Sequence, residues 1–105
     1  MATSLSQIHI NTMDNELLIV ASTAAGSSEI FRGKNGYNDP VSYNLNNPGH
    51  ILAPGNYDLT FVGINWGGPW NFNITTTPPT NPPLVSTGNN TVGVVWNRTI
   101  QITVP

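Results

Sequence analysis

Apolar and polar residues alternate along most of the chain with a period of two, the spacing of a strand that buries one face. Ile8 and Ile10 share a parity, with His9 between them. Residues 16–23 carry a Leu-Leu-Ile-Val run of β type. Val41, Tyr43 and Leu45 alternate with Ser42 and Asn44. Tyr57, Leu59 and Phe61 alternate with Asp58 and Thr60, and Val62 and Ile64 continue on the opposite face. Trp70, Phe72 and Ile74 alternate with Asn71, Asn73 and Thr75. Val92, Val94, Trp96, Ile100, Ile102 and Val104 fall on one parity with Arg98 as the intruder, which predicts a bend or bulge near 97–98. Helical spacing competes only over 13–25, where β-branched Ile19, Val20 and Thr23 favour a strand.

Ten Gly and nine Pro break the chain too often for long helices. Asn35-Gly36 is the strongest local hairpin signal. Two Pro-Pro pairs bar helix and central strand, so about 76–90 is expected to be a Pro-rich crossing loop or arm. These elements predict a single all-β domain over 1–105, an antiparallel β-sandwich or small barrel of about 6–8 short strands.

Charged residues make up 8% of the chain, and Lys and Arg together number three. Three cations cannot assemble a phosphate-neutralising patch, so no nucleic-acid partner is expected. Docking to anionic membranes fails for the same reason. The absence of cysteine excludes disulfides and thiolate chemistry. The N-terminal stretch has no basic region, and its apolar run at 17–21 is short. No run is long enough to span a membrane. The expectation is a leaderless soluble protein, cytoplasmic or released by a non-classical route.

Asp14, Glu16, Glu29, Asp39, Asp58, His9 and His50 show no paired acid–base spacing, and Gly26-Ser27-Ser28 lacks the glycine frame of a nucleophile elbow. An enzyme is not expected. His9 reads as a face residue, solvated or hydrogen-bonded. No cofactor is expected; Asp39 with Asn35 and Asn38 is the best local oxygen cluster for calcium, although turn chemistry alone accounts for these residues. The run from Ser86 to Thr91 resembles, over six residues, the Gly-Asn-Asn turn of calcium-dependent galactose-binding bacterial lectins. Those families place an aspartate and a threonine shortly before the turn. Here Asn81-Pro82-Pro83-Leu84 supplies no carboxylate, and no metal-binding role is carried over.

The aromatic residues carry the functional reading. Trp70 and Trp96 fit the apolar parity of their strands and are expected in the core. Trp66 lies in Asn65-Trp66-Gly67-Gly68, where no strand face is defined. An exposed indole is a flat apolar platform with one N–H donor, and neutral amides beside it recognise hydroxyls without the desolvation cost of a charge. We therefore expect a non-enzymatic, lectin-like carbohydrate-binding module with glycans or glycoconjugates as partners. The candidate contacts are Trp66, Asn65, Asn71 and Asp58, with Tyr37, Asn38, Asp39 and Arg32 on a second loop. Weak single sites gain avidity when linked, so a homo-oligomer is expected. The alternatives are a self-assembling structural protein (a capsid, appendage or inclusion component) and a protein-binding accessory domain.

Overall fold

The computed structural model describes residues 4–36, 43–46, 48 and 51–105. Seven strands stand among them: β1 (Gln7–Thr23), β2 (Gly26–Asn35), β3 (Tyr43–Asn46), β4 (Gly55–Asn65), β5 (Pro69–Thr77), β6 (Leu84–Asn89) and β7 (Gly93–Val104). All pairings are antiparallel, and together they form one curled sheet, a half-barrel.

β1 organises the fold. Its N-terminal half lies between β3 and β5, with β6 beyond β5. Its C-terminal half lies between β2 and β4, with β7 beyond β4. The Ile8/Ile10 segment and the run at 16–23 are thus one strand of 17 residues, not two, and the helical alternative over 13–25 is excluded. A register shift between Ile10 and Thr12 moves the inward parity from Ile8 and Ile10 to Met13, Leu17, Ile19 and Ala21. One extra residue in a strand reverses every later side chain, so both stretches face the same core.

That core joins the two halves. Ile8, Ile10, Phe72, Ile74 and Leu84 from one half meet Leu17, Ile19, Leu59, Phe61 and Ile102 from the other, and all are essentially inaccessible. Burying each side chain of this size contributes about 1.5–3 kcal/mol. The Phe72 ring stacks on Trp96 with centroids 5.8 Å apart and lies directly over Gly63. Trp70 and Trp96 pack against the core half-buried, and the Trp70 ring covers the backbone of Gly88 opposite it.

Three local expectations are corrected. The first hairpin turns at Ala24-Ala25, between the paired residues Thr23 and Gly26. Asn35 ends β2, and β3 pairs with β1, so Asn35-Gly36 is not a tight β2–β3 hairpin. The Pro-rich stretch is shorter than expected, because 84–89 pairs with β5 as β6. The β7 bulge sits at Val95, between the pairs Ile64–Val94 and Gly63–Trp96, rather than at 97–98. Arg98 needs no bulge: it keeps the inward parity and donates its guanidinium N–H groups to the carbonyls of Pro82 and Pro83, at 3.0 and 3.2 Å. No helix among the described residues is long and apolar enough to cross a membrane.

Candidate functional site

The β4–β5 connection at 66–68 runs beside β1 at Asn15 and Glu16. Asn65, the last residue of β4, is fully buried beneath it. Its Nδ2 donates to the carbonyls of Gly68 (2.9 Å) and Thr91 (2.7 Å), and its Oδ1 accepts the Gly67 N–H. The Asn90 N–H also donates to the Gly68 carbonyl. Gly68 has a φ of 70°, a conformation that glycine adopts without strain. This amide lattice pins the loop from below, so Asn65 organises the loop and does not itself face a ligand.

Trp66 stands above the lattice, 60% exposed. Its backbone N–H donates to Asn15 Oδ1 at 2.7 Å, and its indole Nε1 donates to Glu16 Oε1 at 3.1 Å. The polar edge of the ring is therefore turned toward the sheet, and the surface left to solvent is carbon. Leu17 points into the core, so Glu16 falls on the outer face, where it is nonetheless buried. A buried carboxylate is tolerated only when its oxygens are matched by donors. Here Arg32 Nη1 reaches Oε2 at 2.8 Å, Trp66 takes Oε1, and Lys34 Nζ lies 3.9 Å from Oε1.

Register explains the cluster. In the β1–β2 hairpin Glu16 faces Lys34 and Leu18 faces Arg32, so both cations share the carboxylate's face. Arg32 Nε also pairs with Glu29 at 2.6 Å. The hydrogen bond and charge of Glu29, followed by those of Glu16, hold the Arg32 guanidinium above its ordinary range. Within this cluster two carboxylates and two cations balance, and the buried Asp14 adjoins it through Asn15.

The expected site residues divide accordingly. Trp66 and Arg32 are brought together through Glu16. Asn71, half-buried, faces Asp14 across the β1–β5 pair on the same stretch of β1. Asp58 is elsewhere: it lies eight residues up β4 from Trp66, about 26 Å at the rise of an extended strand, beside Ser22 and Gln101. There it lines a separate open groove of ≈ 610 Å³ with Asn56, Tyr57 and Thr103. Tyr37, Asn38 and Asp39 fall outside the described residues, and with them the calcium cluster; so does His50. His9 bonds the Asn44 side chain through Nδ1. Among the described residues no group of three His, Cys, Asp or Glu could hold a metal ion.

Sequence reasoning missed Glu16, Lys34 and Asn15. Counting back from the Ala24-Ala25 turn sets Glu16 opposite Gly33; only the register shift between Ile19 and Val20 brings it opposite Lys34, so no local signal marked the pair. Comparison with known proteins finds no matching family model, curated protein or solved structure.

Proposed function

We propose that the chain is a non-enzymatic carbohydrate-binding domain and that the Trp66 indole is its stacking platform. The observation that carries this reading is the fixed, exposed ring: 60% of Trp66 is accessible while both of its N–H groups are tied to β1. A ring held in place loses little freedom on binding, which is the advantage of a preorganised contact. Its carbon surface suits the C–H face of a pyranose, and the half-exposed Arg32, held by the same Glu16 carboxylate, adds donors that suit hydroxyls. The balance of charge around the ring favours a neutral sugar over an anionic one.

A glycan array probed with the folded protein tests the proposal. Binding to neutral glycans that weakens by about tenfold in Trp66→Ala is the expected result. Silence across a broad array, with the fold verified by circular dichroism, would refute it.

A further inference from the structure

Among the described residues the half-barrel does not close, and its longest open edge is β7. On one side β7 pairs with β4 along its whole length; on the other, no described residue supplies a backbone or side-chain partner to its main chain. An unpaired strand edge is a template for another strand unless it is short, charged or interrupted by proline. β7 has 12 residues and no proline. Its one charge, Arg98, is turned away to the carbonyls of Pro82 and Pro83. An open groove of ≈ 350 Å³ runs beside it, lined by five consecutive residues from Arg98 to Ile102, with Leu5, Pro78 and Pro79 on the far wall. Residues of both parities line it, so the groove follows the edge rather than one face.

We propose that this edge takes the β7 edge of a second copy of the chain, antiparallel about a two-fold axis at Thr99. The composition of β7 suits a second copy of the same strand in this register. With Thr99 on the axis, Thr99 faces its own copy, Asn97 faces Gln101, Trp96 faces Ile102, and Arg98 faces Ile100. Hydroxyl meets hydroxyl, amide meets amide and Trp96 meets Ile102, the pairings that stabilise neighbouring strands, while the Arg98 guanidinium stays on the Pro82 and Pro83 carbonyls and leaves its stem beside Ile100. A two-fold contact of this kind is closed, so it yields a dimer and not a fibre. The dimer continues the β4–β7 sheet across the axis and leaves Trp66 outside the contact. It does not depend on the sugar-binding reading, and it stands or falls by separate measurements.

Light scattering coupled to size-exclusion chromatography of the wild-type chain is expected to give twice the 11.3 kDa chain mass. A monomer at every concentration, or open-ended assemblies, would overturn the proposal. Because the chain has no cysteine, single-cysteine variants report the register. Thr99→Cys places the two thiols together on the axis. In Gln101→Cys they stand four residues apart along the strand, about 13 Å. Mild oxidation should cross-link Thr99→Cys into a disulfide dimer at least tenfold faster than Gln101→Cys, both having native circular dichroism. Equal rates, or faster cross-linking of Gln101→Cys, would rule out this register.

Discussion

The indole N–H of Trp66 donates to the buried carboxylate of Glu16 at 3.1 Å, across 50 residues of sequence. That one bond links the exposed ring to the ion cluster on the outer face of the sheet. It is also where the stability of the sheet and the orientation of the platform depend on the same atom.

Replacing Glu16 by Ala removes the acceptor shared by Trp66, Arg32 and Lys34. We expect a loss of about 0.5–1.5 kcal/mol in denaturant unfolding, because the contacts to Glu16 are lost while its exposed donors can turn to water. The Trp66 ring should also gain freedom, read as a fall in its near-ultraviolet circular dichroism. An unchanged near-ultraviolet spectrum would show that the bond does not fix the ring.

Asn65→Ala should act on the loop without touching its surface. The carbonyls of Gly68 and Thr91 lose their side-chain donor, at about 1–3 kcal/mol. Any measured sugar affinity should fall as well, although Asn65 is buried. A variant with wild-type affinity and lowered stability would separate the amide lattice from binding.

Gly63→Ala tests how the two halves of the sheet pack. A Cβ there would lie 2.7 Å from the Phe72 ring, which is itself stacked on Trp96. Overpacking of this kind costs about 1–3 kcal/mol. Urea unfolding should register it, and a neutral result would mean the ring can shift.

The pH behaviour of the Arg32 pair follows from the sign of its shift. Glu29 first and Glu16 second raise the guanidinium above its ordinary range. A group raised in the folded state contributes fully below its unfolded value, and the contribution is lost only as pH climbs past the folded one. Both values lie far above neutral. The difference in melting temperature between wild type and Arg32→Gln should therefore stay constant from neutral to mildly alkaline pH. A difference that shrinks there would contradict the assignment.

Much of the sheet was legible in the alternation of side chains. Leu59, Phe61, Phe72 and Ile74 are buried on the parity that the sequence marks for them. Two features were not, for physical reasons. The extra residue at Asn11 fuses two runs of opposite parity into one strand, and no local pattern announces a bulge that only the partner strand defines. The acid Glu16 looked like one of several scattered carboxylates, because its donors come from strands that only the register brings near. Trp66 lies outside the strands, in keeping with its lack of a strand face in the sequence, whereas the burial of its neighbour Asn65 under the turn leaves no mark on the turn's sequence.

The account turns on Trp66, and the most direct measurement is a heteronuclear NMR titration that follows the three indole N–H signals as a neutral oligosaccharide is added. We expect the Trp66 signal to move in a saturable way while those of Trp70 and Trp96 stay in place, and Trp66→Ala to weaken binding by about tenfold, the equivalent of roughly 1.4 kcal/mol of stacking. Saturable binding that leaves the Trp66 indole unmoved, or that survives Trp66→Ala at full affinity, would contradict it.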